Sequence, residues 1–195
     1  IFLFDKGFSS YVLCKAAGGE HYNLLSGEGS PAFYPLANIH EPTELDWACE
    51  WIEECLRLNK LDVTATQRNA IREGLIRLSH SSSRTLTELQ STIQDRDIRQ
   101  ALEFYTLAGE MGSVLDATHD DLKAGRFQVF EMGNLIQKGP ARLIPTISYL
   151  FHQIKKRTKQ NKPTLIIVEE VRNFLDGKFG EQLEQWGLEL RKDNA

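Results

Sequence analysis

The sequence predicts an α/β fold in which a largely parallel β-sheet is interrupted by an all-helical insert. Short apolar segments rich in β-branched and aromatic residues alternate with segments whose apolar residues recur every three or four positions. This alternation is typical of parallel strands joined by helices that cover both faces of the sheet. Between residues 43 and 117 only the helical spacing appears. The 195 residues, 41% of them hydrophobic, suffice to bury the core of one such domain.

The first part of the sheet domain is predicted over residues 1–42. Its apolar run at residues 1–4 is typical of a buried strand. Residues 9–17 have helical composition, and the glycine pair that follows them ends this helix. Residues 21–25 form a second strand-like segment, which completes a strand, helix, strand unit.

The helical insert is predicted over residues 43–117. The apolar stripe of its first helix consists of Leu45, Cys49, Ile52 and Leu56. The apolar positions of three shorter helices are Ile71, Leu75 and Leu78, then Leu86, Leu89 and Ile93, then Ile98, Leu102 and Tyr105. Thr85 and Asp95 precede two of these helices, and both residue types are good N-caps.

The second part of the sheet domain is predicted over residues 118–195. Strand character returns at residues 127–131, and Pro140 then opens a long helix that ends in basic residues. Residues 164–168 are a continuous apolar run, as expected for a strand buried on both faces. Residues 179–190 resume the helical spacing, so a strand and a helix close this part.

Two adjacent acids, Glu169 and Glu170, follow the last apolar strand. Parallel sheets bind ligands at the carboxyl ends of their strands. In phosphoryl transfer, one acid at such a position holds Mg²⁺ and a neighbouring acid orients or deprotonates the attacking water. By position, Glu169 is the metal-binding acid and Glu170 the catalytic base. In the alternative interpretation, both acids only stabilise the positive N-terminal end of the next helix.

The net charge and the motifs of the sequence bear on two other functions, DNA binding and phosphate binding. The formal net charge of -4 gives no general basic field for nucleic acid, so any DNA contact is local. The densest basic run contains Lys155, Lys156, Arg157 and Lys159, a candidate DNA contact, although cations at a helix end also complement its dipole. No Gly-x-x-x-x-Gly-Lys-Ser/Thr phosphate loop occurs in the sequence.

A series of short blocks runs along the whole chain. The blocks are Phe4-Asp5-Lys6-Gly7 with Tyr11, Ala16-Ala17-Gly18-Gly19, Pro35-Leu36, Trp47-Ala48-x-Glu50-Trp51-Ile52, Gln67-Arg68-Asn69, Arg84-Thr85-Leu86, Thr92-Ile93-Gln94-Asp95, Met111-Gly112 with Leu115-Asp116-Ala117, and Tyr149-Leu150-Phe151. In this order they resemble the TrbE-type conjugal transfer ATPases of bacterial type IV secretion systems. The ordered succession makes the resemblance specific.

The resemblance implies a RecA-like P-loop ATPase core that uses ATP and Mg²⁺ and carries a helical insert. It implies a homo-oligomer on the cytoplasmic face of the inner membrane, acting with other conjugation proteins in pilus assembly and in the transfer of DNA or protein. It also implies a phosphate loop upstream of Ile1, so that this chain is an internal piece of the ATPase domain.

The family's metal-binding strand typically ends in Leu-Asp-Glu-Ala-Trp, whereas this chain has Val168-Glu169-Glu170-Val171-Arg172. The metal-binding Asp of the family is therefore replaced by a Glu that is one methylene longer. This departure keeps a second hypothesis open, in which the protein is a catalytically weakened scaffold that docks other secretion subunits.

Two further sites are candidates. Asp5, Lys6 and Gly7 follow the first strand and should lie beside the acids in a RecA-like sheet, where they could bind nucleotide. Alternatively, Gly7 only permits a tight turn and Asp5 caps the next helix. Arg191 lies in a segment that resembles the family and is a candidate to neutralise phosphate charge, or it is a solvated helix end.

We expect the 195 residues alone not to hydrolyse ATP, because they contain no phosphate loop. A phosphate-release assay of the purified chain, with and without Mg²⁺, checks this expectation. Turnover that disappears in Glu170→Gln would contradict it, since the acids would then act without that loop.

Overall fold

A computed structural model describes residues 1–158, 163–169, 180, 181, 184, 187 and 188. The helices in this part of the chain are α1 (Tyr11–Ala16), α2 (Pro42–Leu58), α3 (Ala65–Ser79), α4 (Leu86–Thr92), α5 (Arg96–Leu102), α6 (Gly112–Leu115), α7 (Gly133–Lys138) and α8 (Pro140–Thr158). The strands are β1 (Phe2–Asp5), β2 (Glu20–Asn23), β3 (Gln128–Glu131) and β4 (Ile166–Val168). A 3₁₀ helix, Glu103–Tyr105, follows α5.

The chain divides into two compact units. The sheet unit consists of Ile1–Ser30 and Lys123–Ala195, and the helical unit is Pro31–Leu122. No helix of the described residues is long and apolar enough to cross a membrane.

The sheet has the strand order β2-β3-β1-β4, and every pairing is parallel. In the centre, Phe4 of β1 lies opposite Phe130 of β3 on one side and opposite Val168 of β4 on the other. This arrangement confirms the predicted parallel sheet. Because all strands run the same way, their carboxyl ends meet at one edge.

Both faces of the sheet are covered. On one face the fully buried Phe4 stacks on Phe151 of α8, with 4.8 Å between ring centroids, and on Phe130 of β3 at 5.0 Å. Neighbouring residues of a strand point to opposite faces, so Leu3 lies on the other side, where it packs with Cys14 of α1. The core of this unit is therefore aromatic on the α8 side.

The helical unit, Pro31–Leu122, extends beyond the predicted 43–117 at both ends. Backbone pairing close to its two ends explains the difference. The Phe33 N–H donates to the Val114 carbonyl at 2.7 Å, and the Ala117 N–H donates to the Phe33 carbonyl at 3.2 Å. The predicted boundaries were based on the spacing of apolar residues. Backbone hydrogen bonds between distant residues do not affect that spacing.

The predicted caps begin α4 and α5. The Thr85 hydroxyl accepts from the Glu88 N–H at 3.3 Å, and the Glu88 carboxylate accepts from the Thr85 N–H at 3.2 Å, forming a capping box. The Asp95 carboxylate accepts from the N–H groups of Asp97 and Ile98, both at 3.0 Å. The sequence did not predict α6 and α7, because four and six residues are too few to show a helical period.

The last predicted elements are only partly described. The strand at 164–168 is β4, shortened to its final three residues. Residues 180, 181, 184, 187 and 188 of the predicted 179–190 helix are helical. The remainder of that predicted helix lies outside the described residues.

We expect Phe4→Ala to lower the free energy of unfolding by about 3–5 kcal/mol, since it leaves a cavity between two stacked rings. Leu13→Ala is the matched control, because this α1 side chain is 61% exposed. The control should change stability by less than about 0.5 kcal/mol. Urea denaturation followed by circular dichroism measures both, and equal losses would contradict the central position of Phe4.

Candidate functional site

The pairing of β1 with β4 brings Asp5 and Glu169 together. Asp5 ends β1, and Glu169 directly follows β4, where its N–H donates to the Phe4 carbonyl at 2.9 Å. The two carboxyl groups are neighbours, and each shifts the pKa of the other. Asp5 is fully buried, whereas Glu169 is partly exposed. The strand order thus places one of the predicted nucleotide-binding residues beside the predicted metal-binding acid.

Asp5 also holds the start of α1. Its Oδ1 accepts from the Ser9 hydroxyl at 2.5 Å, and its Oδ2 accepts from the Ser10 N–H at 2.9 Å. The Lys6 N–H and the Ser9 hydroxyl also lie close to Glu169 and favour its charged form. Asp5 therefore contacts the start of the next helix, as in the alternative role suggested by the sequence. It does so at the carboxyl edge of the sheet, where ligands bind.

The environments of Asp5 and Glu169 push their pKa values apart. Burial raises the pKa of Asp5, but hydrogen bonds from the Ser9 hydroxyl and the Ser10 N–H outweigh burial and hold it below its ordinary value. Burial, followed by the neighbouring Asp5 carboxylate, raises the pKa of Glu169. Two carboxyl groups in contact favour one ionised and one protonated member. The carboxyl group that keeps its proton to the higher pH is therefore Glu169.

The turn between β1 and α1 contains the predicted residues Lys6 and Gly7. Gly7 has a φ of +88°, and Phe8 follows with a φ of +59°, so the chain reverses through the left-handed region. The Lys6 side chain is exposed at this edge. Gly7 thus forms the tight turn that was the alternative role suggested by the sequence. This turn lies next to Asp5 and Glu169.

Sequence reasoning missed Glu131, the last residue of β3. Its carboxylate accepts from the N–H groups of Gly7, at 3.1 Å, and of Phe8, at 2.7 Å. A signal was present, because Glu131 ends a strand-like segment just as Glu169 follows one. Its partners could not be found in this way, since they depend on β1 pairing with β3.

The donor atoms at this edge fit a hard divalent cation. Asp5, Glu169 and Ser9 offer carboxylate and hydroxyl oxygens, the ligand type that Mg²⁺ prefers. Among the described residues, no cluster of three or more His, Cys, Asp and Glu side chains could hold a metal ion. A cation here would take one or two protein carboxylates and complete its shell with water or phosphate, as Mg²⁺ commonly does.

The structure does not place every predicted residue near this edge. Outside the described residues lie Glu170, Arg191 and Lys159. Lys155, Lys156 and Arg157 form the last turn of α8, as predicted. The Arg157 guanidinium donates to the carbonyl of Lys123 and to the side-chain oxygen of Gln128, both at 3.1 Å. Gln128 begins β3, so this basic turn lies toward the amino ends of the strands, away from the acid pair.

Two conjugal transfer proteins align with the entire chain. One is a TrbE protein of Sinorhizobium fredii, 36% identical over 200 residues, and the other is TrbE of Rhizobium radiobacter, 37% identical over 202 residues. The chain spans 30% of the first and 24% of the second protein. These matches confirm the resemblance on which the sequence prediction rested. No family model matches the chain.

A solved structure, VirB4 of Thermoanaerobacter pseudethanolicus, has a similar fold. It superposes with a TM-score of 0.71 at 16% sequence identity, and the match covers 99% of this chain and 59% of that one. The likeness confirms the predicted fold class, a RecA-like α/β core with a parallel sheet and a helical insert.

We expect Glu169→Gln to stabilise the protein by roughly 1 kcal/mol near neutral pH. Glutamine can donate a hydrogen bond to Asp5 without a second negative charge. Because the folded pKa of Glu169 is raised, its contribution is complete below the unfolded pKa and is lost as the pH rises through the folded pKa. The gain should therefore fade near the ordinary Glu pKa of about 4.3.

Urea denaturation at about pH 7 and about pH 4 tests this expectation. Glu20→Gln is the control, because Glu20 lies on the same sheet but pairs with the exposed Lys123. A gain of equal size at both pH values would contradict the proposed charge repulsion between Glu169 and Asp5.

Proposed function

We propose that the full-length protein is the ATP-hydrolysing motor of a conjugative type IV secretion system, because the chain is similar along its whole length to TrbE conjugal transfer proteins. The observation that carries this proposal is the acid pair at the carboxyl ends of β1 and β4. An ATPase of this fold needs a metal-binding acid at that position. Asp5 and Glu169 supply acids of the required type on adjacent parallel strands.

In this proposal Glu169 holds Mg²⁺, and Asp5 orients Glu169. When bound, Mg²⁺ neutralises charge on the ATP phosphates and on the leaving group. The Ser9 hydroxyl and the Lys6 N–H, which favour the charged form of Glu169, would support its carboxylate as a ligand. Glu170 accepts the proton of the attacking water, and the exposed Lys6 side chain provides positive charge at the phosphate edge.

The longer side chain of Glu169 is compatible with this role. A glutamate has one more rotatable bond than the aspartate typical of the family, so its carboxylate needs an additional restraint. Asp5, at the end of the neighbouring strand and fixed by Ser9 and Ser10, lies beside this carboxylate and limits the positions open to it. This contact supports a functional metal site despite the substitution.

The remaining features of the motor are assigned through the relatives. We propose that the protein acts as a homo-oligomer with other conjugation proteins at the cytoplasmic face of the inner membrane. There, hydrolysis would energise pilus assembly and the transfer of DNA or protein. Arg191 would neutralise charge on the phosphates within its own subunit or across a subunit interface. Lys155 and Lys156 are candidates for phosphate contact with transferred DNA.

A second candidate function is a scaffold without turnover. The observation that favours it is the raised pKa of Glu169, because a protonated carboxyl group is a poor ligand for Mg²⁺. In this case the domain would dock other secretion subunits, and Glu169 in place of the family's Asp would mark the loss of catalysis.

Turnover by the full-length protein distinguishes the two functions. For the motor, Glu170→Gln should lower kcat by about 10²–10⁴-fold while nucleotide still binds, because only the base is lost. Glu169→Asp should stay within about tenfold of the parent. Glu20→Gln is the control on the same sheet. A parent without turnover that gains activity through Glu169→Asp would establish the scaffold instead.

A further inference from the structure

Glu131 is a buried acid whose acceptor atoms are occupied by backbone N–H groups. Its side chain lies at the carboxyl end of β3 and is 2% exposed. Oε1 accepts from the N–H groups of Gly7, at 3.1 Å, and of Gly133, at 2.9 Å, while Oε2 accepts from the N–H of Phe8 at 2.7 Å. One carboxylate thus joins the turn after β1 to the turn after its own strand.

The carboxylate compensates an unfavourable backbone conformation. Phe8 has a φ of +59°, which is rare for a bulky residue. Together with Gly7 at +88°, it points two successive N–H groups toward the same carboxylate. Paired N–H groups of this kind form an anion-binding concavity. Here the anion that fills it is the protein's own Glu131.

Glu131 has little freedom to move away from this position. A Cβ atom added at Gly133 would lie 2.8 Å from Oε1 of Glu131, closer than a real side chain can come. Gly133 therefore permits the approach of the carboxylate from one turn, while Gly7 and Phe8 hold it from the other. The geometry requires a glycine at position 133. At position 131 it requires a side chain in which both terminal oxygens accept hydrogen bonds.

The turn held by Glu131 is the one that contacts the acid pair. Gly7 and Phe8 donate to Glu131, while Ser9 and Ser10, the next two residues, donate to Asp5 at 2.5 and 2.9 Å. These are four consecutive residues. A shift of the first two therefore displaces the two donors that hold Asp5 beside Glu169.

We propose that Glu131 is a positioning residue for the nucleotide site, acting through the turn formed by residues 6–9. It holds the turn from the β3 side so that the Ser9 hydroxyl and the Ser10 N–H keep Asp5 in place beside Glu169. Glu131 touches neither nucleotide nor metal in this role. The inference rests on the proposed ATPase function for its catalytic consequence, but its structural part can be measured independently.

Glu131→Gln is the most informative variant, because it is nearly isosteric. An amide offers one acceptor oxygen in place of two, and its NH₂ group would face a backbone N–H that it cannot satisfy. Gly133→Ala is the second variant, since it keeps the carboxylate but crowds it. Glu20→Gln, the same substitution at a partly exposed ion pair on β2, is the matched control.

Steady-state ATP turnover by the full-length variants gives the first readout. Glu131→Gln should lower kcat by about tenfold or more, with KM within about twofold, because a misplaced turn weakens the reaction more than substrate binding. Gly133→Ala should also lower kcat, and Glu20→Gln should have the kcat of the parent. If folded Glu131→Gln keeps the parental kcat, Glu131 has no positioning role.

Hydrogen–deuterium exchange of the same proteins gives a readout independent of activity. Glu131→Gln should speed exchange by about tenfold in the peptide covering residues 6–10, with β1 and β3 unchanged. Unchanged exchange in that peptide, or a uniform increase over the sheet, overturns the proposal. A parent without turnover would refute the motor function alone, and exchange would then decide the role of Glu131.

Discussion

The parallel pairing of β1 with both β3 and β4 is the constraint on which the rest of the sheet unit depends. It brings three acids, Asp5, Glu131 and Glu169, to one edge of the sheet, where Asp5 and Glu131 are buried. Carboxylates removed from water require hydrogen-bond donors or a proton. The three acids differ in the groups that stabilise their charge. These differences determine the local structure at this edge of the sheet.

The turn after β1 supplies most of the donors. Ser9 and Ser10 satisfy Asp5, whereas Gly7 and Phe8 satisfy Glu131. One short segment thereby links the ends of β1 and β3, and its left-handed backbone is the conformation that directs successive donors to different acids. The turn is therefore as much a part of the site as the acids themselves.

Much of this architecture could be predicted from the sequence, because it depends on local patterns. Apolar runs and capping residues such as Thr85 depend only on a few neighbouring residues. These local patterns were enough to predict the strands and most of the helices. The strand order, the bonds from Gly7 and Phe8 to Glu131 and the contact of Asp5 with Glu169 involve residues more than a hundred positions apart. No local pattern records such contacts, so they required the structure.

The three acids also differ in what they leave for a ligand. Asp5 is buried and engaged by the start of α1, and Glu131 is enclosed between two turns. Glu169 alone is partly exposed, and burial together with the neighbouring Asp5 carboxylate raises its pKa, so a nearby cation would stabilise its charged form. A cation at Asp5 or Glu131 would have to displace the backbone N–H groups that donate to them. Under the proposed ATPase function, Glu169 is consequently the carboxylate suited to bind and release a cation, while the other two keep the surrounding structure fixed.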